Sequence, residues 1–183
     1  MGMVLGTFTK KGQLFTYRDL EDLPEDENRY ELSFGSLIVT PAPNTRHQAL
    51  AATVAAFLHA RKLPSQRVLV EAELLIQPDM VKRPDIQVVS ENLVGGQSVV
   101  GVPDLVVEIH SPATKVLDLT EKRFVYAAAK IPAYWVVDPD AFTLTILELK
   151  DDAYEQVAVI DAQGSRDVTV PFAMTIEGSL IFE

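Results

Sequence analysis

Between residues 47 and 62 the apolar side chains fall at Leu50, Val54, Phe57 and Leu58, one stripe at helical spacing. They predict a helix over 47–62, capped by Asn44 or Thr45. A shorter helix is expected over 16–23, where Thr16 and Asp19 stand at capping-box spacing and Pro24 closes the run. A third is expected over about 114–130, rich in Ala, Lys and Glu, after Pro112. Elsewhere the period shortens to two. The stretch 29-RYELSFGSLIV-39 predicts two strands meeting at Gly35. Residues 68–76 and 85–89 read as strands separated by a turn, 77-QPDMVKRP-84. After a loop over 90–101, further strands are expected in 102-VPDLVVEIHSP-112 and 133-AYWVVD-138. A hairpin over 144–149 and 154–160 follows, then short strands near 168–170 and 180–182. This order implies a mixed α+β fold: a central mixed sheet flanked by helices, with the late helix crossing over to a further strand.

Composition narrows the class. With 183 residues, 48% hydrophobic and 23% charged, the chain is expected to form one domain, with a core over about 15–150 and a C-terminal β extension over 151–183. No apolar run reaches membrane-spanning length, and the N-terminus lacks the pattern of a signal peptide, so a cytoplasmic protein is expected. The absence of cysteine excludes disulfides, zinc–thiolate sites and thiol nucleophiles.

The net charge of −10, from 26 acids and 16 bases, argues against a protein that coats nucleic acid through a basic footprint. It is compatible with an enzyme that spends surplus acids on a divalent cation. Bases cluster locally at Arg46, at Arg61 and Lys62 with Arg67, at Lys82 with Arg83, and at Lys115, Lys122 and Arg123.

Two acids stand at strand ends, Asp85 and Glu108. If their strands are neighbours, both reach one rim, where magnesium would take one or two carboxylates and keep several waters. Read singly, each acid is a solvated strand end. Asp118, Lys122 and Tyr126 recur at i, i+4 and i+8 on one helical face. Asp118 and Lys122 suit a surface ion pair; alternatively Lys122 reaches the metal rim and offsets charge on a phosphoryl oxygen.

The motifs 83-RPDIQVV-89, 103-PDLVVEIHSPAT-114, 118-DLTEKRFVYAAAKIPAYWVVDP-139 and 30-YELSFGSLIV-39, with His47 opening the next helix, resemble in that order the Uma-type restriction endonucleases. That family belongs to the restriction-endonuclease-like PD-(D/E)XK superfamily, and the likeness spans about residues 15–150. It implies the superfamily fold and a magnesium-dependent nuclease (manganese as a substitute) acting on nucleic acid, with DNA expected. Asp85 and Glu108 match the metal-holding acids. The lysine of the Glu-x-Lys pattern should stand at residue 110, where this chain has His110; the resemblance moves the lysine role to Lys122. Glu31 and His47 match recurrent polar positions and imply auxiliary roles. His110 is either a general base or a hydrogen-bonding group at the rim.

A non-catalytic binding or assembly module on the same fold is the alternative, favoured by the charge and the missing lysine. An open basic rim of Arg46, Lys82, Arg83, Lys115 and Arg123 would favour the nuclease. A homodimer is expected, through strand-edge and apolar surface at Leu144, Ile146, Leu147 and Leu149. Trp135 and Tyr134 are expected in the core, and Glu71 and Glu73 in solvent.

Overall fold

The computed structural model describes residues 6–8, 10, 13–24, 26–110 and 118–182, excepting the side chains of residues 118 and 119. Three α-helices are described: α1 (Tyr17–Leu20), α2 (Thr45–His59) and α3 (Arg123–Ala128). Strands β1 (Gly6–Phe8), β2 (Asn28–Ser33), β3 (Ser36–Pro41), β5 (Leu74–Gln77), β6 (Met80–Lys82) and β8 (Val99–Val100) make sheet I, in the order β1-β3-β2-β6-β5-β8. Strands β4 (Gln66–Val70), β7 (Ile86–Ser90), β9 (Leu105–Ile109), β10 (Ala133–Asp138), β11 (Thr143–Lys150) and β12 (Ala153–Asp161) make sheet II, in the order β12-β11-β10-β9-β7-β4. A ribbon of β13 (Ser165–Val168) and β14 (Met174–Glu177) completes the strands.

Sheet II is the core. Its inner strands are buried on both faces, which is why 105-LVVEI-109 and 133-AYWVVD-138 read as near-continuous apolar runs. Alternation divides them between two apolar layers. Val107, Ile109, Trp135 and Val137 pack with Val54, Phe57 and Leu58 of α2. Val106, Tyr134 and Val136 pack with Val125, Tyr126 and Ala127 of α3. Each large apolar side chain so buried contributes about 1.5–3 kcal/mol. β9 and β10 are parallel, as a crossover connection requires, while β7 runs antiparallel to β9.

Local chemistry sets the ends of the elements. Asn44 caps α2 by accepting the His47 N–H at 2.9 Å. Asp19 accepts the Thr16 N–H at 2.8 Å, so α1 starts as its spacing predicts. The β2–β3 hairpin turns on Phe34 and Gly35, with φ of 48° and 73°, the left-handed pair that a two-residue turn of right-handed twist needs.

The mixed α+β architecture agrees with the sequence reading, and five expectations are corrected in detail. The strands divide into two six-stranded sheets rather than one. The run 68–76 breaks at Glu71, whose φ of 53° turns the chain out of sheet II and into sheet I. The 77–84 turn contains a strand, β6, because Pro78 and Asp79 alone make the reversal between Gln77 and Met80. Residues 178–180 form a 3₁₀ turn, so the last predicted strand is absent and β14 lies earlier. Leu144, Ile146 and Leu147 are core residues and cannot supply dimer surface; the outer strand of that hairpin is β12. The start of the third predicted helix lies outside the described residues. Its later part is a π-helical turn, Asp118–Lys122, followed by α3.

Candidate active site

Register brings the two acids together. Ile86 of β7 pairs with Val107 of β9, so the next residues along, Asp85 and Glu108, stand beside each other at one rim of sheet II. Asp85 is 2% exposed and Glu108 3%. Ionised groups so deeply buried need partners, because an isolated buried charge costs far more than a folded domain can offset.

Asp85 is held from three sides. Arg29 Nη1 donates to Oδ1 at 3.0 Å, His47 Nε2 lies 3.0 Å from Oδ2, and the Ile109 N–H donates to Oδ2 at 2.8 Å. Burial pushes its carboxyl up, but the hydrogen bond and charge of His47, with Arg29 and Lys122, outweigh burial and hold it below its ordinary value. His47 Nδ1 is buried with no hydrogen-bond partner among the described residues. Glu108 Oε1 accepts from Lys122 Nζ at 2.9 Å and from the Tyr126 hydroxyl at 2.6 Å. Burial, then the charges of Glu108 and Glu31, push the Tyr126 phenol well above its ordinary value, so it stays a donor. Lys122 Nζ also lies 3.6 Å from Glu31 Oε1, which accepts the Arg83 N–H at 2.7 Å.

Asp85, Glu108, Lys122, Tyr126, Glu31 and His47 are thus joined in one cluster. His110 is buried at the end of β9, with Nδ1 3.9 Å from Asp138 Oδ2. The Asp118 side chain lies outside the described residues. Lys122 and Tyr126 come from successive turns because the segment winds as a π turn into α3, a geometry frequent at functional sites.

Arg29, Ser33 and Glu121 escaped the sequence reading, and Glu31 entered it only through the family resemblance. Arg29, Glu31 and Ser33 alternate along one face of β2 and all reach the rim. Such alternation ordinarily marks a solvent face, yet Glu31 and Ser33 are buried. The available signal was three polar residues at period two in a strand between apolar neighbours. Lys82, 1% exposed, donates to Glu121 Oε1 at 2.7 Å, and the Ser33 hydroxyl donates to the same carboxylate. Glu121 precedes Lys122, so these contacts fasten the π turn to sheet I. Glu71, expected in solvent, is half-buried and binds Arg29.

Of the bases proposed for a basic rim, two are held inside the protein and two stay exposed. Lys82 is buried on Glu121, and Arg83 Nε donates to the Glu71 carbonyl at 2.7 Å. Arg46 pairs with Asp140 at 2.8 Å, and Arg123 donates to the Tyr154 carbonyl at 2.6 Å. Lys115 lies outside the described residues.

Among the described residues, no group of three or more His, Asp or Glu side chains is set to hold a metal ion. The residues that could hold a hard cation here are the paired carboxylates Asp85 and Glu108, oxygen donors of the kind such cations take together with water.

A family model, Uma2, described as "Putative restriction endonuclease", matches residues 17–177. The chain belongs to the Uma2 family. The Uma2 match continues past residue 150, where the motif resemblance ended, into the C-terminal ribbon. Among solved structures, the chain is similar to "a putative nuclease belonging to DUF820 from Anabaena variabilis ATCC 29413", with a TM-score of 0.76 and 22% identity. The likeness covers 92% of this chain and 97% of that one, and it shows a shared fold. No curated protein matches the sequence.

Proposed function

We propose that this Uma2-family chain is a divalent-metal-dependent nuclease that hydrolyses phosphodiester bonds of nucleic acid, DNA first among them, with Mg²⁺ as its metal and Mn²⁺ as a substitute. The observation that carries the reading is the rim itself: two buried carboxylates, neighbours in register, with Lys122 bonded to one of them. Membership of a family described as restriction endonucleases supports the same class of chemistry. The cation, when bound, supplies a water of lowered pKa and neutralises charge on the phosphoryl oxygen. The protein's residues do the positioning. His47 and the Ile109 N–H orient Asp85, while Tyr126 and Lys122 orient Glu108. The Lys122 ammonium, fixed by two carboxylates, stands where it can offset charge that develops as the bond breaks. The reading extends to one catalytic domain over the whole chain, working as a two-fold pair whose sites cut opposite strands of a duplex.

The test is calorimetric titration of Mn²⁺ and Mg²⁺ into the protein, Asp85→Ala and Glu108→Ala, with nicking of supercoiled plasmid scored on the same samples. Binding and nicking lost together in both variants would support the nuclease; nicking that survives in either variant would refute this site. Sedimentation velocity tests the pair of chains.

A non-catalytic binding module is the second reading, favoured by the engagement of Lys82 and Arg83 within the protein. Metal binding with no cleavage of duplex, branched or single-stranded DNA or of RNA would decide for it.

A further inference from the structure

The guanidinium of Arg29 bridges two carboxylates. Nη1 donates to Asp85 Oδ1 at 3.0 Å and Nη2 to Glu71. It comes from β2 of sheet I, whereas Asp85 stands at the rim of sheet II, so this contact ties the two sheets across the site. Glu71 is placed with unusual care. It is a non-glycine residue at φ 53°, a conformation that persists only where surroundings enforce it. The enforcement is visible: the Glu71 N–H donates to the Asp85 carbonyl at 3.0 Å, and Arg83 Nε donates to the Glu71 carbonyl.

The two partners differ in what surrounds them. The Asp85 side chain is 3% exposed, the Arg29 side chain 15% and that of Glu71 32%, so the bridge runs from the buried rim towards solvent. Arg29 Nε is buried with no hydrogen-bond partner among the described residues, so no bond at that end holds the guanidinium against Asp85.

We propose that Arg29 is an internal counter-cation of Asp85, which a divalent ion displaces so that the guanidinium rests on Glu71 alone. This rests on Asp85 being a metal ligand, as set out under the proposed function. Without the ion, Arg29 neutralises a buried carboxylate that would otherwise be costly. With the ion, the carboxylate keeps a cationic partner and the guanidinium keeps an anionic one, so neither charge is left alone. Metal affinity is then the intrinsic affinity reduced by the fraction of molecules in which Arg29 has left Asp85.

The experiment is a double-mutant cycle on Mn²⁺ affinity, measured by calorimetry on the wild-type protein, Arg29→Gln, Glu71→Gln and the double variant, with circular dichroism as the check on folding. Arg29→Gln is expected to bind Mn²⁺ about tenfold more tightly, and Glu71→Gln several-fold more weakly. In the Arg29→Gln background, Glu71→Gln is expected to change nothing, because Glu71 acts through Arg29. Equal effects of Glu71→Gln in both backgrounds would mean through-space charge only and would overturn displacement. So would binding unchanged or weakened in Arg29→Gln. If Arg29→Gln does not fold, a crystal structure of the wild-type protein with Mn²⁺ decides: Arg29 still bonded to Asp85 beside a bound ion refutes the inference. Absence of Mn²⁺ binding in the wild type refutes the metal site itself, and this inference with it.

Discussion

Lys122 and Tyr126 share one oxygen of Glu108, but they do different work. The lysine carries the charge that would meet a developing negative centre. Lys122→Met is therefore expected to lower metal-dependent cleavage by about 10²–10³ while Mn²⁺ binding persists; single-turnover cleavage beside calorimetry measures both. The tyrosine holds the carboxylate. Tyr126→Phe removes a donor to a buried ionised acceptor, so unfolding free energy should fall by about 1.5–3 kcal/mol in urea titrations. Glu108, Lys122 and Tyr126 were legible in the sequence because their spacing puts them on a strand end and on one helical face. Arg29 was not, since it sits 56 residues from Asp85 and no local pattern links them.

At the scale of elements, the π turn carrying Lys122 is fastened to sheet I by Lys82 and Ser33 through Glu121. Burial raises the Glu121 carboxyl, but hydrogen bonds from Lys82 and Ser33 outweigh it and leave it below its ordinary value. A carboxyl depressed on folding adds stability above its unfolded pKa, about 4.3, and loses it as pH falls through the folded value. The stability gap between wild type and Glu121→Gln should therefore be full at pH 6 and shrink below about pH 4.3. A gap that is constant with pH would refute the fastening role. The elements themselves were largely readable: α2 and its Asn44 cap, the Gly35 hairpin, β7, β9, β10 and the β11–β12 hairpin all lie close to where period and turn chemistry put them. The misreading came at Glu71, where an apolar run continues in sequence but changes sheet in space.

For the molecule as a whole, net charge and internal pairing both bear on nucleic-acid contact. The charge is −10, and Lys82 and Arg83 are held by contacts within the protein, which limits the bases free to neutralise phosphate. The predicted consequence is a shallow salt dependence. For the Lys122→Met variant with Mn²⁺, the slope of log affinity for duplex DNA against log salt should be smaller in magnitude than about 4. Fluorescence anisotropy would measure it, and a steep slope would overturn this prediction by revealing an extended basic contact surface. No helix among the described residues is long and apolar enough to cross a membrane.

The sequence alone determined the periods, turns and caps of most elements, and it marked Asp85, Glu108 and Lys122 as chemically suggestive. These are local properties, dictated by side-chain spacing and backbone preference within a few residues. Only the tertiary structure decided that the strands divide into two sheets, and that Arg29, Glu31, Ser33 and Lys82 turn inward between them. A polar residue in an alternating strand has the same pattern whether it faces water or a buried carboxylate. What distinguishes the two is the partner that packs against it, and that partner arrives from a distant part of the chain.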